Sequence, residues 1–278
     1  MCNLAAAHLP AGRPFSWRAL WALVLLQLFG NIASLPLMRA TDAPAESPVA
    51  WALWTAASVL LIGISLFMGR RIGLGAPFLE GLLPREERMA WLRRIVGLSI
   101  LLSVGASLPV LLINLNVNPE TYPARWKLVL ASIDAGVQEE IFSRLFLVTL
   151  LVWLGSLRWR EADGRPAHNV IWAAITFSAL FFGWAHIDQQ LTSADILALA
   201  AIFLISALLG LTLGWLYWKQ GIECAMLAHF AVDAVDSAIV VPAYLSGNVW
   251  IQAATVVGLL ALGVLGWWLV RGGEYSMR

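Results

Sequence analysis

Asp134-Ala-Gly-Val-Gln-Glu139-Glu140-Ile-Phe-Ser-Arg144, followed at once by Leu-Phe-Leu-Val-Thr-Leu-Leu-Val-Trp-Leu, decides how this chain is to be read. The stretch has the apolar length of a membrane helix, yet two adjacent carboxylates and an arginine sit near its middle. A charge at the centre of a bilayer costs from ~3 to more than ~10 kcal/mol. A chain keeps such groups only where they are paired, hydrated by a cavity, or used in chemistry.

The rest of the sequence supports the membrane reading. The 278 residues are 60% hydrophobic and 13% charged, against about 25% charged in a soluble domain. Fifteen tryptophans suit the aromatic belts of membrane interfaces. A net charge of +1 says nothing about nucleic acid or an acidic substrate, but no basic stripe appears, and no nucleic-acid partner is expected. Two cysteines, Cys2 and Cys224, exclude a disulfide framework. About 20 apolar residues span a bilayer, and that ruler marks eight segments, at 17–38, 49–69, 95–115, 127–154, 169–188, 194–218, 221–242 and 248–270. The expected fold is all-α, a polytopic membrane bundle of about eight helices in a single membrane domain over 1–278, with its motif-bearing core at 127–242. The charged segment 70–94 suggests a short interfacial helix.

Topology follows from counting Lys and Arg. A cytoplasmic N-terminus leaves fourteen of them on inside segments, three outside, and Arg144 in the membrane. This positive-inside bias puts both termini in the cytoplasm and requires an even helix number. A composition rich in Ala, Leu, Arg and Trp suggests a bacterial inner membrane.

Polar residues recur on two further segments. The fifth ends in Phe181-Phe182-Gly-Trp-Ala-His186, and the seventh carries His229-Phe-Ala-Val-Asp233-Ala-Val-Asp236. In an α-helix the i, i+4, i+7 spacing places His229, Asp233 and Asp236 on one face. Glu140 and Arg144 are also i, i+4, acid before base, the favoured order for an internal ion pair. Glu139 lies about 100° round the helix from Glu140 and is left for chemistry. A lone membrane histidine is more often a packing or capping residue, and Asp188, Asp195 and Glu223 read as interfacial. Asp134 either lines an aqueous path or faces a neighbouring helix. Depth counted at 1.5 Å per residue places His186 some ~10 Å nearer the outside than Glu139 and His229, so convergence of the three requires a tilted or displaced fifth helix.

Taken together, Glu139-Glu140-x-x-x-Arg144, Phe182-x-x-x-His186 and His229-x-x-x-Asp233 resemble the three-motif signature of the CPBP (Abi) intramembrane proteases. That family includes the CAAX prenyl endopeptidases and bacterial relatives linked to bacteriocin processing and immunity. The resemblance implies that Glu139 and His186 activate water for attack on a peptide carbonyl, with Glu140 and Arg144 supporting the motif. It implies that His229 and Asp233 bind the developing oxyanion. Position 233 is Asp where Asn is the natural amide donor, so it would act either protonated or by orienting His229. Relatives are often labelled metalloproteases, and Glu139, His186 and His229 could ligate zinc. No His-Glu-x-x-His helix is present, and a glutamate-activated water needs no metal, so no cofactor is expected.

The expected activity is a membrane-embedded endopeptidase acting on a membrane-associated peptide or protein, with the lipid bilayer as its other partner. Two other functions compete with it: a non-catalytic immunity or scaffold protein, and a proton-coupled transporter using Asp134, Glu139 and the histidines. Nothing in the sequence identifies a prenyl-binding cavity.

Overall fold

The computed structural model describes residues 9–39, 48–110, 122–187 and 196–275. Cys2, His8, Asp188 and Asp195 lie outside these residues. The described chain is all-α, and among the described residues there is no β-strand. The helices are α1 (Trp17–Met38), α2 (Pro48–Ile72), α3 (Arg85–Val110), α4 (Arg125–Glu140), α5 (Thr149–Ser156), α6 (His168–Ala185), α7 (Ile196–Gln220), α8 (Ile222–Val235), α9 (Val241–Leu245) and α10 (Val249–Tyr275). Among the described residues, two π-helical segments interrupt the pattern, Ile141–Val148 between α4 and α5 and Asp236–Val240 between α8 and α9.

Among the described residues, seven helical stretches are long and apolar enough to cross a membrane: Trp17–Met38, Leu53–Ile72, Arg85–Leu108, His168–Ala185, Leu199–Gln220, Ile222–Leu245 and Val249–Gly272. The eighth expected segment is the helical run from α4 to α5. Every 18-residue window within it holds three or more charged residues, so it falls outside this class. The third span begins ten residues earlier than expected, at Arg85 rather than 95. The interfacial helix expected within 70–94 is instead the last turn of α2, a turn over 73–84, and the first turns of α3.

The chain divides into two compact units. The first comprises residues 1–23, 56–82 and 139–225. Here α6 lies against α7 along small residues, because a methyl group on Gly210 would come within 3.0 Å of the Ala179 Cα, and one on Gly183 within 2.7 Å of the Phe203 carbonyl oxygen. Such seams replace hydrophobic drive with close backbone packing in a lipid setting. The 73–82 turn is tied down by buried charge: Arg13 makes a two-pronged contact with Glu80 (2.6 and 2.9 Å) and donates to the Leu74 carbonyl (2.6 Å). Glu223, in the first turn of α8, is half-buried and accepts the backbone N–H groups of Phe78 and Leu79, both at 3.0 Å. Gly221 separates α7 from α8 at φ +94°, a left-handed conformation open to glycine.

The second unit comprises residues 24–55, 83–138 and 226–278. Helices α3 and α10 cross at Gly97 and Gly266, where an added methyl on Gly97 would sit 2.6 Å from the Gly266 carbonyl oxygen. Val104, Val240 and Leu259 form a buried cluster beside this crossing. Gly136 on α4 serves α8 in the same way: a side chain there would meet Phe230 N at 2.9 Å and the Met226 carbonyl oxygen at 3.0 Å. Gly30 on α1 in turn admits Asp134, whose Cα would lie 3.0 Å from a methyl at that position.

Candidate active site

Glu139 and Glu140 are the last residues of α4, and the π-helical segment begins directly after them. A π turn holds one more residue than an α turn and often marks a functional position. It changes the phase of everything downstream, so Arg144 is not where α-helical geometry alone would put it. Arg144 Nη1 reaches Glu140 Oε1 at 2.9 Å, and both side chains are fully buried. The ion pair read from the i, i+4 spacing therefore forms. Arg144 does more than neutralise its partner. Its Nη2 donates to the Gly210 carbonyl oxygen of α7 at 3.3 Å, and its guanidinium lies 4.3 Å from the centre of the Phe182 ring on α6. A desolvated cation over an aromatic face contributes up to about 2 kcal/mol. Where π geometry disturbs the backbone ladder, the Ser178 hydroxyl donates to the Ser143 carbonyl oxygen at 2.8 Å.

His186 caps the C-terminus of α6. Its Nδ1 lies 2.8 Å from the Phe182 carbonyl oxygen, and its ring packs 4.3 Å from the Phe182 ring. A carbonyl oxygen only accepts, so Nδ1 carries the proton and Nε2 is left as the acceptor of the neutral ring. That Nε2 lies 3.8 Å from Glu139 Oε2. Counting residues from helix ends separated these two groups by ~10 Å in depth, yet the fold brings them together. Both side chains are a little over one-third exposed, 37% for His186 and 38% for Glu139, open enough for water and a substrate.

The third motif lies in the other unit. His229 Nε2 is 3.6 Å from Asp233 Oδ2, with the histidine nearly fully buried and the carboxylate one-third exposed. The one-face relation holds for this pair. At Asp236 the α-helix gives way to π geometry, so α-helical spacing does not set the face of that residue. The Ser237 carbonyl oxygen of this second π segment accepts the Tyr122 hydroxyl at 2.8 Å. Both π segments thus have one carbonyl held by a hydroxyl from another part of the chain.

Sequence reading passed over Ser178, Gly210 and Tyr122. Ser178 was within reach, because 178, 182 and 186 share a helix face. Gly210 and Tyr122 act through pairings with no spacing signature.

A catalytic zinc takes three protein ligands plus water. Neither unit brings together three His, Cys, Asp or Glu side chains able to hold a metal ion, among the described residues. Glu139 with His186, and His229 with Asp233, each supply two donors.

Residues 121–235 match the family model of the Rce1-like type II CAAX prenyl endopeptidases. This segment is similar to the CAAX prenyl endopeptidases of that model. It contains all three motifs, from Glu139 to Asp233, and so bears out the resemblance they carry. No curated protein and no solved structure matches the chain. The family match and, among the described residues, seven helices long and apolar enough to cross a membrane indicate an integral membrane protein.

Proposed function

We propose that this chain is a membrane-embedded endopeptidase in which Glu139 and His186 activate the water that attacks a peptide carbonyl. The observation that carries the reading is the 3.8 Å approach of His186 Nε2 to Glu139 Oε2, with Nδ1 already committed to the Phe182 carbonyl. Two acceptors facing each other across that gap call for a proton donor between them. A water molecule donating one hydrogen to each supplies it, and its oxygen lone pairs then face away, toward a substrate. On attack, Glu139 takes a proton from the water and passes it to the leaving amine. General acid–base steps of this kind contribute about 10²–10⁴-fold in rate.

Glu140 and Arg144 hold the scaffold, and Phe182 transmits their position to His186. His229 serves the oxyanion. We assign Asp233 to orienting His229, supported by its 3.6 Å approach to Nε2, because an ionised carboxylate would repel an oxyanion. The reaction as written uses no metal, and zinc chelation with activity as the readout tests that part. The substrate class is a membrane-associated protein or peptide, with a prenylated C-terminal peptide the first to try.

The test uses the full chain in lipid nanodiscs with quenched fluorescent peptides, prenylated and unprenylated. It is paired with a comparison of peptides released in native membranes by wild type and Glu139→Ala. Glu139→Ala and His186→Ala should each abolish cleavage while leaving the protein folded in the membrane. Cleavage that persists in either variant would sink the proposal.

A further inference from the structure

The turns that open α3, Arg85-Glu-Glu-Arg-Met-Ala-Trp-Leu-Arg93-Arg94, carry four arginines against two glutamates. Arginines at the ends of membrane helices are ordinary interface residues that hold their charge in water, and Arg85 and Arg93 are exposed in this way. Arg94 is not. It is 6% exposed and shares a buried face with Ala90, Trp91 and Ile95. Its Nε has no acceptor, and among the described residues no hydrogen bond or ion pair holds its guanidinium. Among the described side chains of α3 and α10 the acids are Glu86 and Glu87, both exposed and roughly 10–12 Å back along the axis. A guanidinium keeps its charge at any pH a protein meets, so burying one is costly unless an anion answers it.

The place of Arg94 narrows which anion that is. Helices α3 and α10 run antiparallel within the second unit, with Gly97 against Gly266, Leu269 and Val270, and Val104 against Gly263 and Leu259. Arg94, one turn before Gly97, therefore lies level with the end of α10. The apolar run of α3 begins at Ile95, and that of α10 ends at Val270. Both helices thus leave the hydrocarbon at the level of Arg93, Arg94 and Arg271. Trp267 and Trp268 are exposed there, as suits a membrane interface, and the exposed Arg271 guanidinium lies 4.1 Å from the centre of the Trp267 ring. The anion a bilayer offers at this level is the phosphate diester of a phospholipid. A guanidinium matches phosphate with two parallel N–H donors, and basic pockets between membrane helices take lipid headgroups. Three arginines at one level favour a headgroup of net negative charge over a zwitterionic one.

We propose that Arg94, at the membrane boundary where α3 meets the end of α10, binds the phosphate of an anionic phospholipid, with Arg93 and Arg271 adding positive charge around it. The site is independent of the peptidase proposal, and its readout is stability.

The full chain is unfolded thermally in nanodiscs of phosphatidylcholine containing increasing phosphatidylglycerol, at fixed ionic strength and pH. A ligand that binds only the folded state stabilises it more as the ligand becomes more abundant. The midpoint should therefore rise with phosphatidylglycerol, and inorganic phosphate added to pure phosphatidylcholine discs should not reproduce the rise. Arg94→Met, which keeps an apolar stem and removes the charge, should abolish it. Arg271→Gln, at an exposed position, should weaken the apparent phosphatidylglycerol affinity about fivefold, the equivalent of ~1 kcal/mol for one basic residue at the membrane surface. Equal midpoints with and without phosphatidylglycerol would mean that the chain supplies its own counter-charge, and the proposal fails. A rise left unchanged in Arg94→Met or in Arg271→Gln overturns it as well. A matching rise with inorganic phosphate would make this a site for free phosphate and overturns the lipid assignment. The wild-type and Arg271→Gln titrations decide the matter even if Arg94→Met does not fold.

Discussion

The Glu140–Arg144 pair offers the most discriminating test of how the first motif is built. At 2.9 Å with both side chains at 0% exposure, the attraction is on the order of 6 kcal/mol at an effective dielectric of about 20. Exposed pairs yield about 0.2–1 kcal/mol. Desolvation opposes this attraction, so the pair as a whole adds little net stability, but removing one partner strands a buried charge at a cost of about 3–5 kcal/mol. Arg144→Met should therefore destabilise by at least that much, with a further contribution from the lost contact to Phe182. Glu140→Leu alone should cost a similar amount by leaving the guanidinium without its counter-charge. The double variant Glu140→Leu/Arg144→Met should recover most of the loss, because two apolar side chains of similar volume replace an ion pair with little net change. The coupling energy read from the double-mutant cycle should be ~3 kcal/mol or more. Unfolding in mixed micelles at pH 7 provides the four stabilities. Peptidase activity should stay low in the double variant, since the guanidinium no longer props Phe182 against the His186 ring. Additive single-variant losses, with coupling under ~1 kcal/mol, would refute the account of this motif as a closed, desolvated pair.

Three further outcomes follow from particular contacts. Ser178→Ala leaves the buried Ser143 carbonyl without its 2.8 Å donor and should cost ~1–3 kcal/mol, read in the same unfolding assay, whereas Ser178→Thr should retain most of that stability. Gly136→Val pushes a side chain into backbone 2.9 Å away at Phe230 and should cost ~1–3 kcal/mol by overpacking α4 against α8; a neutral result would show that this approach is not tight. Burial pushes the Tyr122 phenol up, against the lowering effect of Arg125, with Asp236 adding to the rise. A raised folded-state pKa stabilises the protein below the ordinary tyrosine value near 10, and that contribution is lost as pH climbs from there through the folded value. Wild-type stability should thus fall more steeply above about pH 10 than that of Tyr122→Phe, and parallel curves for the two would refute the assignment.

What the sequence determined by itself was the class of molecule and the chemistry it carries. Apolar length fixes membrane helices because the bilayer has a thickness and water is absent from it. The i, i+4 spacing of Glu140 and Arg144 foretold their pairing because that relation is local to one helix. The three motifs in order were enough to name the family that residues 121–235 match. Even here local rules failed where the helix changed type. The π-helical segments after Glu140 and before Val241 each have a carbonyl that accepts a hydroxyl, from Ser178 and from Tyr122, which are distant in sequence and contribute no periodic signal.

The tertiary structure decided what depth-counting could not. A linear ruler counts only along one helix, and His186 at the end of α6 lies 3.8 Å from Glu139 despite the depth it assigned. The tautomer of His186 follows from one backbone carbonyl four residues away, and the role of Phe182 from a guanidinium on another helix. Glu223 read as interfacial because it begins a helix; the fold adds that it anchors the 73–82 turn through the Phe78 and Leu79 N–H groups. Asp134 read as lining an aqueous path or facing a neighbouring helix, and the fold sets it in a small polar cavity with Gln27, Asn31 and Ser34 of α1. The charged stretch that opened the reading therefore holds three environments within eleven residues: a polar cavity at Asp134, a water-facing carboxylate at Glu139, and a dry ion pair at Glu140 and Arg144. Spacing along one helix separates those residues, but only the neighbouring helices determine which of them meets water.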